Sequence, residues 1–176
     1  MCHHFSELNP IITTRLQLRV PCREDREPLL FMRSDPEVNK YIMRKPPISL
    51  EEIDVFISDR LKDRKEGNSI YWVLAPKEAS SKCIGAISLW HFSDDRKTAE
   101  VGYDLDPTYQ GKGYMSEALT AVLEFGFKTL DLATIEAYTH VDNIPSRTLL
   151  ERHAFMITNK KDASVPTNVV YSLSVI

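Results

Sequence analysis

The chain has 176 residues, of which 43% are hydrophobic and 27% charged. This composition is ordinary for a folded globular protein and argues against disorder and against insertion into a membrane. The net charge of -3 offers no general attraction for nucleic acid. No linker divides the sequence, so we expect a single domain over residues 1–176, without nucleic-acid or membrane partners.

Cysteine usage and the N-terminus indicate the compartment. The three cysteines are odd in number and far apart in the sequence, which predicts neither a disulfide framework nor a zinc knuckle. The N-terminus lacks a basic region followed by an apolar run, so we expect a cytoplasmic protein. Cys2, His3 and His4 are metal-ligand types, but terminal tripeptides usually fray, and we expect no metal site there.

The first half of the chain predicts a strand, two helices and a three-stranded meander. Leu16, Leu18 and Val20 alternate with polar residues, which indicates a half-buried strand. Apolar residues at helical spacing predict two helices, the second with Ser49 and Glu52 placed as a capping box. The predicted elements are a strand at 15–20, helices at 23–34 and 50–66, and strands at 69–75, 83–90 and 98–105.

The second half begins with the best-defined helix of the sequence, predicted over 112–128 from its period of 3.6 residues. Its inward face carries Met115, Leu119, Val122, Leu123 and Gly126. A strand at 134–139, a helix at 144–152 and strands at 155–158 and 169–176 follow. About seven strands and four helices in mixed order predict an α+β fold, a mixed sheet with helices on both faces.

The segment from Glu100 to Ser116 carries the clearest functional signal. The predicted strand ends at Leu105, a turn follows, and a helix starts at the Gly111-Lys112-Gly113 sequence. Such a helix start presents unpaired backbone N–H groups and the positive end of the helix dipole, while the glycines let an anion approach closely. A phosphate-bearing ligand is therefore expected at this turn.

Two common phosphate-binding motifs fit this turn poorly. A P-loop requires Gly-Lys followed by Ser or Thr, whereas Lys112 is followed by Gly113. A dinucleotide fingerprint requires Gly-x-Gly-x-x-Gly directly after a strand, whereas Ser116 takes the last place and the motif lies several residues after the strand.

Residues 110–115 resemble motif A of the GNAT superfamily, which reads Arg/Gln-x-x-Gly-x-Gly/Ala. Residues 99–107 and 143–155 are similar to the RimJ/RimL-type branch of protein N-terminal acetyltransferases. The resemblance implies a mostly antiparallel, seven-stranded GNAT sheet with about four helices on both faces, and acetyl-CoA as acetyl donor without a metal. It implies that the coenzyme A pyrophosphate is bound by Gln110, Gly111, Lys112, Gly113, Tyr114, Met115 and Ser116.

Three residues depart from the family pattern. Met115 replaces the final Gly/Ala of the motif, so its side chain must point into the core. Ala154 replaces a glycine and costs about 1 kcal/mol if its φ is positive. Leu150 takes the place of a tyrosine that serves many members as the acid, so the acid must come from another residue.

The resemblance also implies roles for single residues. Acetyl transfer to an amine needs a proton acceptor, an oxyanion donor and a donor for the departing thiolate. Glu100 matches a glutamate that acts as general base in several family members, directly or through water, and its alternative is a surface glutamate opposite a lysine. Ser146 matches a serine whose hydroxyl donates a hydrogen bond to the thiolate or binds coenzyme A. The alternative is that Ser146 only occupies the first turn of a helix. Asn143 would bind the pantetheine amides or only cap a helix, and the backbone near Leu105 would pair with the pantetheine arm.

Three functions are open from the sequence. The leading hypothesis is acetylation of a protein N-terminal amine, and the second is acetylation of a small amine such as a polyamine, amino acid or antibiotic. The third is a coenzyme A-binding module without catalysis, suggested by the three departures from the pattern. We expect an amine-bearing acceptor, bound near residues 41–47 and 162–168, and a monomer or homodimer.

Overall fold

The computed structural model describes residues 5, 7–47 and 49–175, so Cys2, His3 and His4 lie outside the described residues. The described residues form a mixed sheet flanked by helices. The strands are β1 Ile11–Ile12, β2 Leu16–Arg19, β3 Ile70–Pro76, β4 Gly85–Trp90, β5 Thr98–Leu105, β6 Thr134–His140, β7 Met156–Lys161 and β8 Asn168–Ser174. The α-helices are α1 Arg26–Ser34, α2 Pro36–Asn39, α3 Leu50–Glu66, α4 Tyr114–Lys128 and α5 Ile144–Arg152.

The sheet has the strand order β1-β2-β3-β4-β5-β6-β8-β7. Every neighbouring pair is antiparallel except β5 and β6, which are parallel and connected through α4. This confirms the predicted mostly antiparallel α+β fold. The sequence misses β1 because two residues show no alternation, and it misses α2 because four residues make only one helical turn.

Two apolar layers cover the two faces of the sheet. One cluster packs Leu119 of α4 and Leu150 of α5 against the sheet, and the other packs α1 and α3 against the opposite face. Neighbouring side chains of β3 contribute to different layers, since Trp72 belongs to the first cluster and Val73 to the second. The inward face predicted for α4 is confirmed, since Met115, Leu119, Val122, Leu123 and Gly126 are all buried.

Local signals explain where the helices begin and end. Ser49 accepts a hydrogen bond from the Glu52 N–H at the start of α3, as half of the predicted capping box, and Gly67 ends that helix in the left-handed region. No helix in the described part of the chain is long and apolar enough to cross a membrane. Among the same residues, no group of three His, Cys, Asp or Glu side chains could hold a metal ion.

The C-terminus of α5 ends at an alanine in a left-handed conformation. Ala154 has φ of +63°, and the Phe155 N–H donates to the Leu150 carbonyl at 3.1 Å, a bond that closes a Schellman-type turn. Phe155 and Leu150 are both buried in the cluster beneath α5. The positive φ that the sequence comparison anticipated at Ala154 is therefore present, and the Cβ atom there is strained.

We expect Ala154→Gly to raise the free energy of unfolding by about 1 kcal/mol, because glycine adopts this conformation without the steric cost of a Cβ atom. Urea denaturation of the two proteins measures the difference. Ala133→Gly is the matched control, since Ala133 is also exposed but has no positive φ. The control should lose stability, and a loss in Ala154→Gly as well would contradict the assignment of strain.

Candidate functional site

The site is built on a gap between the two parallel strands. β5 and β6 pair only at Thr98↔Thr134, Ala99↔Ile135 and Glu100↔Glu136, whereas β5 continues to Leu105 and β6 to His140. Each strand remains paired on its outer side, β5 with β4 and β6 with β8. The two strands therefore separate beyond Glu100 and leave the edges that face each other unpaired.

The unpaired edge of β5 offers backbone hydrogen-bonding groups to this gap. The Asp106 N–H donates to the Ile84 carbonyl at 3.0 Å, next to the Gly85↔Leu105 pair, so the Leu105 backbone points away from β4. The register from Gly85↔Leu105 to Trp90↔Glu100 is continuous and has no bulge. By alternation, the backbone groups of Tyr103 also face the gap.

A cavity of about 1260 Å³ follows the gap and reaches both faces of the sheet. Glu100, Gly102 and Asp104 lie on one face of β5, and Val101, Tyr103 and Leu105 lie on the other. All six line the cavity, together with residues of α4, α5 and the 161–165 loop. The gap is therefore open to both faces of the sheet, and different side chains of β5 line it on each face.

At one end of this cavity lies the turn that the sequence singled out. Gly111 and Gly113 have φ of +73° and +80°, and α4 begins after Gly113 without a side-chain cap. From Gly111 to Ser116, no backbone N–H has an acceptor among the described residues, and the first one satisfied is that of Glu117, bonded to the Gly113 carbonyl at 3.1 Å. Six consecutive free donors at a helix N-terminus form a binding site for an anion.

The side chains of this turn stabilise its shape. Gln110 Nε2 donates to the Leu105 carbonyl at 3.0 Å, and Lys112 Nζ donates to the Thr108 carbonyl at 2.8 Å. Leu105 and Met115 are buried in the core, so only their backbone groups are available at the gap. The inward direction that the sequence required of Met115 is confirmed.

Arg15, the residue before β2, stabilises the turn from outside the cavity and was not identified from the sequence. Its Nη1 donates to the Lys112 carbonyl at 2.9 Å, its Nε pairs with Glu117 Oε2 at 2.7 Å, and its guanidinium lies 4.5 Å from the centre of the Tyr114 ring. No local motif signals this role, because the contacts join residues about 100 positions apart.

The start of α5 brings Asn143 and Ser146 to the same cavity. Asn143 Oδ1 accepts the Ser146 N–H at 3.2 Å, so Asn143 caps the helix. Its Nδ2 has no partner among the described residues. Ser146 Oγ lies 2.9 Å from the Tyr103 hydroxyl, while Leu150, one helical turn further on, is fully buried.

Tyr103 is the functional candidate that the sequence analysis did not single out. It lies inside the segment that carries the family resemblance, and strand alternation alone places it opposite Glu100. Burial raises the pKa of Tyr103 to about 12, and the hydrogen bond with Ser146 opposes that rise. The phenol is therefore neutral at physiological pH and serves as a hydrogen-bond donor or acceptor.

Glu100 lies on the opposite face of β5, in a setting suited to accepting a proton. Its side chain is 15% exposed, and its Oε2 lies 3.0 Å from Nδ1 of His91, which is 67% exposed. Burial raises the pKa of Glu100, contact with His91 opposes the rise, and the charges of Asp162 and Glu136 add to it. His91 was not identified from the sequence, because it lies in the loop after β4 and belongs to no motif.

Two other carboxylates on β5 and after it have structural partners. Asp104 shares the face of Glu100, as alternation predicts, but its Oδ2 accepts from both Nη1 and Nη2 of Arg44 at 3.1 Å. Asp106 Oδ1 accepts the Thr108 N–H at 2.8 Å and caps a short 3₁₀ helix. The Asp104–Arg44 pair fastens the 41–47 segment to the sheet beside Glu100, which leaves Glu100 as the carboxylate of β5 without an arginine or lysine partner among the described residues.

The 41–47 segment also borders the far side of the gap. The Tyr41 ring stacks on His140 at the end of β6, with the ring centres 5.4 Å apart. Met43 and Trp90 line the same side of the cavity and remain 81% and 37% exposed. Together with the 161–165 loop they form an open, partly apolar groove that leads to Glu100.

Comparison with known proteins agrees with this geometry. Residues 15–156 match the acetyltransferase (GNAT) domain family. The chain is 32% identical over 148 residues to the uncharacterized N-acetyltransferase p20 of Bacillus licheniformis, covering 84% of this chain and 83% of p20. It is 35% identical over 74 residues to the ribosomal-protein-serine acetyltransferase of Escherichia coli, covering 42% of this chain and 41% of that protein.

The fold is similar to that of Mycobacterium smegmatis RimJ, solved in complex with CoA-disulfide. The TM-score is 0.83 at 15% identity, covering 98% of this chain and 90% of RimJ. The family match spans most of the described sheet, from β2 to the start of β7. The chain therefore belongs to the GNAT family and is an acetyl-CoA-dependent acetyltransferase.

Proposed function

We propose that the protein transfers the acetyl group of acetyl-CoA to the α-amine of a protein or peptide N-terminus. The observation that carries this proposal is the gap between β5 and β6, which connects an anion-binding turn on one face to a partly buried glutamate and an open groove on the other. Acetyl-CoA supplies the acetyl group as a reactive thioester, and the residues of the chain position it and move protons.

The free N–H groups of the turn fit the pyrophosphate of coenzyme A. Residues Gln110, Gly111, Lys112, Gly113, Tyr114, Met115 and Ser116 would hold it, the last six through their backbone N–H groups and Gln110 by fixing the turn to Leu105. A diphosphate carries several acceptor oxygens, and six donors at a helix N-terminus match that demand. Arg15 adds positive charge behind the same turn.

The unpaired edge of β5 fits the pantetheine arm, which has amide groups spaced along an extended chain. The backbone of Tyr103 and Leu105 would pair with it as a neighbouring strand does. The Leu105 carbonyl already accepts from Gln110, so its N–H and the groups of Tyr103 are the available partners. Asn143 would contribute its free Nδ2 while its Oδ1 caps α5.

Glu100 is proposed as the general base that takes the proton from the acceptor ammonium. Its raised pKa lies closer to that of an amine than an exposed glutamate's would, and this makes proton transfer more favourable. The exposed His91 imidazole in contact with Glu100 provides a route by which that proton reaches solvent. Water between Glu100 and the amine is compatible with the same role.

The acceptor groove favours an extended peptide. An enclosed pocket with convergent polar groups suits a small ligand, whereas the rim here is open and carries the exposed side chains of Met43 and Trp90. The carboxylates of Glu100 and Asp162, which both line the groove, favour a cationic amine at its inner end. The similarity to a ribosomal-protein-serine acetyltransferase supports the same choice. A polyamine is the alternative that these carboxylates also attract.

An acceptor screen with acetyl-CoA, followed by thiol release, tests this proposal. Peptides with free N-termini should react with kcat/KM at least about tenfold above those of spermidine and free amino acids, since specificity follows contacts made along the groove. The matched control is the same peptide with a blocked N-terminus and an internal lysine. Preference for the polyamine would assign the small-amine function, and no thiol release from any acceptor would contradict both.

Replacing Glu100 with glutamine tests its role as the base. We expect Glu100→Gln to lower kcat/KM near neutral pH by about 100-fold or more. The acid limb of the pH–rate profile should move from the pKa of Glu100 to that of the amine itself, about 8, because only neutral amine would then react. An unchanged rate and profile would mean that another residue or water takes the proton.

Glu136→Gln is the matched control for this prediction. Glu136 faces Glu100 across the last pair of β5 and β6, and its charge contributes to the raised pKa of Glu100. Removing that charge should lower the pKa of Glu100 and shift the acid limb to lower pH, in the opposite direction to the Glu100→Gln shift. If the acid limb moved to higher pH in both variants, it would not report the ionisation of Glu100.

A further inference from the structure

The hydrogen bond between Tyr103 and Ser146 joins β5 to the first turn of α5 across the coenzyme side of the gap. Their hydroxyl oxygens are 2.9 Å apart, both residues line the cavity, and among the described residues each hydroxyl has only the other as a partner. We propose that Tyr103 is a positioning residue, which donates to Ser146 Oγ and thereby directs the serine's single proton at the sulfur of coenzyme A. The inference rests on the proposed function, because it requires the sulfur to lie beside Ser146.

Either hydroxyl can be the donor in this pair, and each direction leaves one proton available to the cavity. A serine hydroxyl has one proton and can accept two hydrogen bonds, and a tyrosine hydroxyl also has one proton. If the tyrosine donates to Ser146, the serine proton is free for the sulfur. If the serine donates to the tyrosine, the phenol proton is the one left for the sulfur, and the variants described below distinguish the two arrangements.

The chemistry at the sulfur is stabilisation of a thiolate. The amine nitrogen forms a bond to the acetyl carbon, the carbon–sulfur bond breaks, and its electron pair remains on sulfur. Glu100 first takes the ammonium proton and passes it through His91 to solvent, and it then takes the second proton from the nitrogen once the nitrogen–carbon bond has formed. The Ser146 hydroxyl donates a hydrogen bond to the new thiolate. Charge and protons therefore balance without a proton leaving Tyr103.

Transfer of the phenol proton itself is unfavourable. Burial raises the pKa of Tyr103 to about 12, whereas an ordinary thiol has a pKa of about 8.5, so the proton would stay on the phenol by about three orders of magnitude. A neutral phenol that keeps its proton is well suited to orienting a neighbouring hydroxyl. Tyr103 thus compensates for the missing tyrosine at Leu150 by acting through Ser146 and not as the acid.

The test is a titration of the thiol of coenzyme A bound to the protein, followed by the ultraviolet absorbance of the thiolate. It needs no acceptor and no turnover. Relative to free coenzyme A, the wild-type complex should show a lowered thiol pKa, and Ser146→Ala should return it toward the free value. Tyr103→Phe should remove part of the lowering, and kcat should fall about tenfold while KM for acetyl-CoA stays unchanged, as expected for one lost hydrogen bond.

The decisive measurement is the double variant. If Tyr103 acts only through Ser146, Tyr103→Phe should have no further effect on the thiol pKa in the Ser146→Ala background. An equal shift in both backgrounds would mean that Tyr103 acts directly on the sulfur, and no shift in either would reduce it to a structural residue. Either result would overturn the proposal.

Calorimetry with coenzyme A separates this inference from the proposed function. If the wild-type protein does not bind coenzyme A, the proposed function fails, whereas binding with an unshifted thiol pKa defeats only the inference. Tyr171→Phe is the matched control, because it removes the phenol hydroxyl of another tyrosine, which is buried outside the cavity and bonded to Glu151 at 2.6 Å and Arg147 at 3.2 Å. It should leave the thiol titration unchanged.

Discussion

The separation of β5 from β6 is the constraint on which the site depends. Parallel strands normally exchange hydrogen bonds along their whole length, but here the pairing stops at Glu100↔Glu136 while both strands continue on their outer partners. The unpaired edge is inside the sheet, where open backbone groups are costly unless a ligand or water satisfies them. A ligand with strand-like amides meets that demand and passes between the two faces at the same time.

The alternation of side chains along β5 divides the chemistry between those faces. Glu100 lies with the acceptor groove, and Tyr103 lies with Ser146 and the start of α5. The proposed base for the incoming amine and the proposed donor for the departing sulfur therefore lie on opposite faces of one strand. In the proposed function, β5 separates the two substrates by the same two-residue alternation that places half of its side chains in the core.

The sequence predicts the parts of the site that depend on local rules. The glycines around Lys112 predict a helix start open to an anion, because backbone conformation is decided by a few neighbouring residues. The cost at Ala154 was raised only through the family resemblance and on the condition of a positive φ, which the structure has. Long-range partners are not predictable in this way. Arg15 reaches the turn from the bend before β2, His91 contacts Glu100 from a loop, and Tyr103 on β5 contacts Ser146 on α5. The edges of the sheet were also hard to predict, since β1 has only two residues.

A crystal structure of the protein with coenzyme A would show directly whether the coenzyme occupies the gap between β5 and β6. We expect the pyrophosphate within hydrogen-bonding distance of the N–H groups from Gly111 to Ser116, the pantetheine amides paired with the backbone of Tyr103 and Leu105, and the sulfur in contact with Ser146 Oγ. A pantetheine arm that lies outside the gap between β5 and β6, or a sulfur remote from Ser146, would contradict this expectation.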